Sequence, residues 1–352
     1  MPEGGATNSP GSARDQVFTL SKNVNFVLVP VTVKDGDGHL VEGLTRRDFK
    51  ILEDGVEQKM TFFTSDPFAL SAAVVLDLGM PDVTFRKVRD TLPALVGAFG
   101  QFDEVAIYTF ASTVQRAQDF TSVENDRLAA AMDKVRKKAT GRMGGVPVGG
   151  MGGPLNSSGP QINSRPVDPS QPANVPRTAN ESKVLNDAIL EAAMDLSRRD
   201  PTRRKVLFVI SDGREYNSSA SYGEVLKVLL SRGVVVYAIG VGSAAIPGYG
   251  TAQKVHLPRF GYGDILPKYA GATGGQVFTE FSQDAIEQAY SRVTEEARNQ
   301  YTIGYATRAT PSSAYREIEV LVERPDCKKH NTPNCVSVTA REGYFPLPAG
   351  SR

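Results

Sequence analysis

Between residues 70 and 298, short apolar runs alternate with stretches in which apolar residues recur at helical spacing. The pattern predicts strands at 72–77, 104–110, 205–211, 234–241 and 276–279, and helices at 83–99, 122–138, 182–198, 220–232 and 282–298. Such alternation is typical of an α/β fold, in which a doubly wound, mostly parallel sheet carries helices on both faces.

The two ends of the chain have a different pattern, in which apolar and polar residues alternate as in β-strands. Asp-Gly turns interrupt this pattern between residues 17 and 68, and β-structure resumes after Asn299. Because the strands at each end are short, neither end is expected to form a stable sheet alone. We therefore predict one β-sandwich-like domain made from residues 17–68 and 300–346.

The remaining boundaries follow from this arrangement. Residues 69–299 form the α/β domain, which is inserted into the β-sandwich-like domain. Residues 1–16 are polar and rich in Gly, Ser and Pro, which predicts a disordered tail, and residues 347–352 form a second tail. No signal peptide is visible in the first of these segments, so we expect either a simple tail or a chain without its native leader.

Two long loops interrupt the α/β pattern. Residues 139–181 are dominated by Gly, Pro, Ser and Asn, a composition that predicts a flexible insertion. Residues 242–268 follow a predicted strand and carry four candidate partner-binding side chains, Tyr249, His256, Phe260 and Tyr262. Aromatic side chains among small residues are typical of protein-binding surfaces. A loop that folds down and packs its own aromatic residues fits the pattern equally well.

Two predicted strands end in a carboxylate. Asp77 closes the apolar run that begins at Ala72, and Asp212 follows the run that begins at Lys205. Ligands of open α/β sheets bind at the carboxyl ends of the strands, and paired carboxylates suit a hard divalent cation such as Mg²⁺. The residues two and four positions after Asp77 are Gly79 and Pro81, whose side chains offer no oxygen.

These residues resemble those of von Willebrand factor A-type domains, and in particular of exported bacterial A-related proteins with flanking β-structure. Gly43-Leu-Thr-Arg-Arg-Asp-Phe49 is similar to a segment common in that group. The family's metal-ion-dependent adhesion site combines an Asp-x-Ser-x-Ser loop, a threonine that opens a helix, and a later aspartate. Matched residue by residue, Asp77 and Asp212 are retained, Gly79 and Pro81 replace the two serines, and Lys183 stands at the threonine position.

Loss of two or three oxygen ligands severely weakens a Mg²⁺ site. We hypothesise that the ammonium of Lys183 takes the place of the ion in a salt bridge with Asp77 and Asp212, because unpaired carboxylates would repel each other. An alignment shifted by one residue would instead place the hydroxyl of Ser182 in the site. Asp77, Ser182 and Asp212 would then hold Mg²⁺, Mn²⁺ or Ca²⁺. In a third interpretation the aspartates only cap their strands, in a site that has lost its role.

The chain has two cysteines, Cys327 and Cys335, between two predicted strands. A disulfide between them would close a hairpin loop in an oxidising compartment, and two unrelated thiols are the alternative. His330 lies in the same loop, but the spacing does not match a zinc site. The family resemblance also implies export, so we expect a secreted, periplasmic or cell-envelope protein.

Composition excludes several classes of function. Forty Lys and Arg balance 39 Asp and Glu, which gives a net charge of +1 and argues against nucleic acid or an anionic membrane as partner. No run approaches the roughly 18 apolar residues of a membrane span. No Gly-x-Ser-x-Gly motif is present, and His39, His256 and His330 fall in separate segments. An acid–base pair of Asp77 and Asp212 would lack an oxyanion hole, so we do not expect an enzyme.

The sequence therefore predicts a non-enzymatic interaction or adhesion module with no required cofactor, which binds a protein, or less readily a glycan, through the loops above the sheet. Two alternatives stay open. The first is metal-dependent adhesion. The second is a structural component of the cell envelope whose β-domain makes the contacts, and an exposed apolar patch on that domain would favour it.

Overall fold

The structure is a computed structural model that describes residues 25–123, 126–143, 183–241, 265–280, 282–307, 314–323 and 336–346. Several of the residues singled out above lie outside these ranges: Ser182, Tyr249, His256, Phe260, Tyr262, Cys327, His330 and Cys335. Both tails and residues 144–181 of the predicted flexible insertion lie outside them as well.

The described residues form fourteen strands and six α-helices, with a 3₁₀ turn at Arg46–Asp48. The strands are β1 (Asn25–Asp35), β2 (Phe49–Glu53), β3 (Val56–Glu57), β4 (Met60–Thr64), β5 (Leu70–Asp77), β6 (Glu104–Phe110), β7 (Val114–Ser122), β8 (Arg204–Ser211), β9 (Val235–Gly240), β10 (Val277–Thr279), β11 (Tyr301–Thr307), β12 (Arg316–Val322), β13 (Val336–Ala340) and β14 (Gly343–Tyr344). The helices are α1 (Asp82–Gly97), α2 (Asp126–Met143), α3 (Leu185–Ser197), α4 (Tyr222–Arg232), α5 (Leu266–Thr273) and α6 (Gln283–Arg298).

A six-stranded sheet forms the centre of the α/β part, in the order β10-β9-β8-β5-β6-β7. All neighbouring strands run parallel except β7, which pairs antiparallel with β6. Every residue of β5 is buried, because one face of the sheet packs on α1, α2 and α6 and the other on α3, α4 and α5. This arrangement confirms the predicted doubly wound α/β fold.

Both ends of the described chain contribute to a second structure of two four-stranded sheets. The first has the order β13-β1-β11-β4 and the second the order β14-β12-β2-β3. One apolar cluster fills the space between them, with Val29 and Ile303 from the first sheet and Ile51 from the second. The chain leaves this sandwich after β4 and returns to it at β11, so the α/β part is inserted as the fold class predicted.

Several element boundaries differ from the predictions. Helix α3 begins at Leu185 instead of 182, helix α2 runs from Asp126 to Met143 and so enters the predicted loop 139–181, and helix α5 begins at Leu266 inside the predicted loop 242–268. Strand β7 was not predicted, because it is an edge strand with mostly exposed, polar side chains and lacks an apolar run. Among the described residues, no helix is long and apolar enough to cross a membrane.

The junction between the sandwich and the α/β part is held by Arg204, the first residue of β8. Its guanidinium donates to the carbonyl oxygen of Ala297 at 2.7 Å, to both oxygens of Gln300 at 3.0 and 3.2 Å, and to Oγ1 of Thr302 at 2.7 Å. The same group lies 5.1 Å from the ring centroid of Phe68. Burial lowers the pKa of Arg204 to about 10. The four hydrogen bonds therefore stabilise a cation that burial destabilises.

A second set of polar contacts lies beside the first. Lys34 of β1 forms an ion pair of 2.6 Å with Glu296 of α6, and its Nζ donates to Gln276 at 2.7 Å. Gln300 donates to Oγ1 of Thr32 at 2.9 Å and to the hydroxyl of Tyr237 at 3.1 Å. Buried polar groups of this kind are stable only when their partners keep one geometry, so the contacts fix how the two parts meet.

We expect Arg204→Ala to lower the free energy of unfolding by about 3 kcal/mol, because the acceptors at the junction lose their donor and a cavity remains. Arg204→Lys should lower the free energy of unfolding by a smaller amount, since lysine keeps the positive charge and lacks only the planar guanidinium group. Urea denaturation measures both. Arg86→Ala, at an exposed position of α1, is the matched control and should change the value by less than about 0.5 kcal/mol. Equal effects at the two positions would contradict this role of Arg204.

Candidate functional site

The site is built at the carboxyl ends of two neighbouring strands. Asp77 is the last residue of β5, and Asp212 directly follows β8. These strands are parallel and in register, with Leu76 opposite Ile210, so both aspartates reach the same edge of the sheet. Asp77 is 0% and Asp212 is 3% exposed. Two buried carboxylates at one edge require a compensating positive charge.

Lys183 supplies that charge. Its Nζ lies 3.2 Å from Oδ2 of Asp77 and 2.8 Å from Oδ1 of Asp212, and the residue is 7% exposed. The sequence predicted a helix that begins at residue 182 and so includes Lys183. In the structure Lys183 lies outside the helix and precedes α3 by two residues. There it forms an antiparallel bridge with Tyr216, through hydrogen bonds of 3.0 Å from its amide and 2.9 Å to its carbonyl.

The loop that holds Lys183 is itself anchored to the start of α3. The carboxylate of Glu215 accepts hydrogen bonds from the amides of Asn186 and Ser218, each at 2.9 Å. The carboxylate of Asp187 accepts from the amides of Ser219 at 2.9 Å and Ala220 at 2.8 Å. Asp187 lies in the first turn of α3 and so fixes the neighbouring loop.

The two aspartates differ in how well their oxygens are satisfied. Asp77 accepts hydrogen bonds from the amide of Gly79 at 2.7 Å and from Oγ of Ser211 at 2.8 Å, in addition to Lys183. Oδ2 of Asp212 is buried and accepts no hydrogen bond from the described residues. Nε of Arg214, whose side chain is half exposed, lies 3.8 Å from it. Arg214 thus flanks the site on its solvent side.

The titration of Asp77 reflects its burial. Removal from water raises the pKa of the Asp77 carboxyl, the ammonium of Lys183 opposes this effect, and the charge of Asp212 adds to it. The net direction is upward. At neutral pH the ionised Asp77 therefore depends on Lys183 for its stability in the folded state.

Gly79 and Pro81 have roles other than ligation. A Cβ atom on Gly79 would lie 3.2 Å from Cε of Lys183 and 3.3 Å from Oδ1 of Asp77, so the lysine side chain occupies the space that a serine would need. Pro81 directly precedes α1, and its carbonyl oxygen accepts a hydrogen bond from the amide of Phe85. Neither residue directs a side-chain oxygen at the two aspartates.

A second group of polar residues lies on the turn after β1. Ligand atoms of Asp35, Asp37 and His39 lie within 4.8 Å of one another, and the last two residues are exposed. The carboxylate of Asp35 already accepts hydrogen bonds from the amides of Asp37 and His39, at 3.0 and 2.9 Å. These contacts explain the cluster as a hydrogen-bonded turn.

The structure brings together Asp77, Gly79, Lys183 and Asp212, as the sequence had grouped them, and places Pro81 directly before α1. Sequence reasoning missed Ser211 and the bridge to Tyr216. Ser211 could have been found, since it directly precedes Asp212. The bridge could not, because its hydrogen bonds are made by the backbone and leave no pattern in the sequence.

The raised pKa of Asp77 predicts how the stability of the fold changes with pH. Because the folded-state pKa of Asp77 is raised above that of the unfolded chain, stability from this group is present in acid and is lost as pH rises through the folded-state pKa. The free energy of unfolding of the native chain minus that of Asp77→Asn should therefore fall between pH 4 and pH 7. Urea denaturation across this range measures the difference. A difference that increases with pH would show that the pKa is lowered instead.

The close contact between Gly79 and Lys183 predicts that a side chain at position 79 destabilises the fold. Gly79→Ser should destabilise the fold by roughly 1–3 kcal/mol through overpacking. Gly223→Ser is the matched control, because a Cβ at Gly223 meets no atom within 4 Å. In a double-mutant cycle with Lys183→Thr, the destabilisation caused by Gly79→Ser should become smaller, with a coupling energy of about 1 kcal/mol or more. Strict additivity would contradict the steric link.

No protein-family model and no curated protein matches the chain. Similar solved structures include a von Willebrand factor type A protein from Catenulispora acidiphila, with 8% identity over 94% of this chain and 76% of that one and a TM-score of 0.43. An aerotolerance-related membrane protein from Bacteroides fragilis has 15% identity over 65% of this chain and 100% of that one, with a TM-score of 0.38. Manganese-loaded TRAP protein from Plasmodium vivax has 11% identity over 85% of this chain and 99% of that one, with a TM-score of 0.37.

At these identities and TM-scores, the assignment of the fold rests on the strand order and connections given above. The chain has a doubly wound α/β fold inserted in a β-sandwich, and von Willebrand factor A-type structures are among those to which it is similar.

Proposed function

We propose that this chain is a non-enzymatic protein-interaction module in which the ammonium of Lys183 occupies the position of a divalent cation. The contact of Nζ with both Asp77 and Asp212 carries the proposal. A protein partner would be bound by the loops at this edge of the sheet, without a metal ion; a glycan is the less favoured partner. A secreted, periplasmic or cell-envelope location belongs to the same proposal and rests on the sequence resemblance.

Charge and ligand count support the absence of a metal requirement. A dication and an ammonium in the same position would repel each other, so an ion could bind only if Lys183 moved away. Gly79 and Pro81 add no oxygen ligand. Mg²⁺ would therefore find two carboxylates and water, which is a weak site.

Burial supports a role other than catalysis. The three charged groups are between 0% and 7% exposed and are paired with one another. A general acid or base must come within hydrogen-bond reach of its substrate. The Lys183 bridge to Tyr216 and the anchored loop after Asp212 leave the carboxylates facing the lysine.

Metal binding tests this proposal. Isothermal titration of the native chain with Mg²⁺, Mn²⁺ and Ca²⁺ should give no binding heat at millimolar ion. Lys183→Thr alone should remain a poor site, because Gly79 and Pro81 still lack oxygens. The triple variant Lys183→Thr, Gly79→Ser, Pro81→Ser should bind Mg²⁺, since it restores a hydroxyl at each replaced position.

Asp212→Asn in the triple variant is the control and should abolish that binding. Micromolar binding by the native chain that is lost in Asp212→Asn would overturn the proposal. It would favour metal-dependent adhesion with Ser182 as a ligand.

The structural role in the cell envelope remains a second candidate, and one observation favours it. Leu28 and Phe62 are 42% and 38% exposed on the outer face of the first sandwich sheet. Exposed apolar side chains on this part of the chain are what a contact made by the β-domain would require.

A further inference from the structure

The outer face of the first sandwich sheet carries a row of apolar residues. Val27 and Val29 point into the core, so Leu28 between them points outward. Leu28 lies opposite Gly304 of β11, and Gly304 lies opposite Phe62 of β4. The three residues therefore form one row across three neighbouring strands.

Aromatic rings cover the gap at Gly304. A Cβ on this glycine would lie 2.6 Å from the ring of Phe26 and 2.9 Å from Cβ of Phe62, so no side chain fits there. The two rings meet edge to face, with centroids 6.5 Å apart. The result is a continuous apolar surface, here called the outer patch, made by Phe26, Leu28, Phe62 and Gly304.

The outer patch continues a surface that is already an interface. Farther along the same face, Thr32 and Thr302 are buried at the junction, where Arg204 donates to Thr302. The α/β part thus covers one end of this sheet face, and none of the described residues covers the other end.

The strand beside the outer patch, β4, is an edge strand of its sheet in the described part of the chain. Among the described residues, β4 pairs only with β11, and its five residues include no charged residue and no proline. The other edge strands are shorter or protected. β3 and β14 have two residues each, and β10 has three. β7 carries Arg116 and Asp119, and β13 lies beside β12 of the second sheet. Natural sheets blunt exposed edges with charges, proline, short strands or β-bulges. The pairing of β4 shifts register between Gly304 and Tyr305, but β4 has no charge and no proline, so its edge keeps backbone groups that can pair.

We propose that β4 and the outer patch bind an extended segment of a protein partner, which adds to the sheet as a fifth strand and packs its apolar side chains on Phe62 and Leu28. Backbone hydrogen bonds to a sheet edge give such a contact its affinity, and alternate side chains give it specificity. This surface belongs to the sandwich and is separate from the Lys183 site.

The small area of the outer patch favours a single added strand over a second folded copy of this chain. Strands lie about 4.8 Å apart and rise about 3.3 Å per residue, so three strands by four residues cover only about 200 Å². Stable dimers bury about 800 Å² on each partner. A single added strand needs no larger surface, because the backbone groups along one of its sides pair with the edge. β4 and the outer patch contain no charged residue, so the segment should be uncharged, with alternating apolar residues.

The experiment uses a defined probe, the blocked peptide Thr-Val-Thr-Val-Thr-Val-Thr, with the ¹⁵N-labelled full chain. Amide chemical shifts should change in β4 and at Phe26 and Leu28, and the β4 amides that face the open edge should exchange with solvent at least tenfold more slowly. A second peptide, N-methylated at alternate residues along one edge, keeps the apolar side chains but cannot pair there. It should bind at least tenfold more weakly.

Matched variants locate the contact. Phe62→Lys should weaken binding of the first peptide at least tenfold, and Leu321→Lys, at a similarly exposed apolar position on the second sheet, should leave it unchanged. Phe62→Thr serves if the lysine variant does not fold. Equal binding of the two peptides, or shifts outside β4 and the outer patch, would overturn the proposal. Sedimentation that shows a dimer of the native chain broken by Phe62→Lys would also overturn it, in favour of a second copy.

Discussion

Parallel pairing of β5 with β8 is the constraint from which the site follows. Because the two strands end at the same edge, their terminal aspartates must lie close together, and both are buried. Buried like charges are tolerated only with a nearby opposite charge. In this chain the charge is a covalent part of the protein, held in place by the backbone bridge between Lys183 and Tyr216.

A built-in cation behaves differently from a bound one. A metal ion leaves when its concentration falls, and its site then changes charge by two units. An ammonium stays with the chain whatever the ion concentration in solution. The loops around the site are correspondingly tied down, since Glu215 and Asp187 both cap backbone amides beside it. The charge of the site therefore does not depend on an ion from solution.

The sequence was sufficient for the fold because the central strands are buried on both faces. The all-apolar run at residues 72–76 of β5 has few alternatives, and the alternation with amphipathic helices identifies the sheet as parallel. It was insufficient for β7, whose side chains are mostly exposed and whose position is set by pairing with β6. Edge strands of this kind carry little hydrophobic signal.

The site was accessible from the sequence to the extent that side chains define it. Asp77, Asp212 and Lys183 could be grouped through the residues they match in a known family, and the closeness of the two aspartates follows from the register of β5 and β8. The start of α3 was misplaced because Ser182 and Lys183 extend the helical periodicity by polar residues alone. Only the backbone bridge to Tyr216 decides that Lys183 lies outside the helix.

Arg204 and Asp212 stand at opposite ends of the same strand, which gives the molecule a polarity along β8. The strand has eight residues and spans about 26 Å at 3.3 Å per residue. The sandwich contacts the end at Arg204, and Lys183 contacts the other. A partner that binds the sandwich would therefore be separated from the Lys183 edge by the full length of this strand.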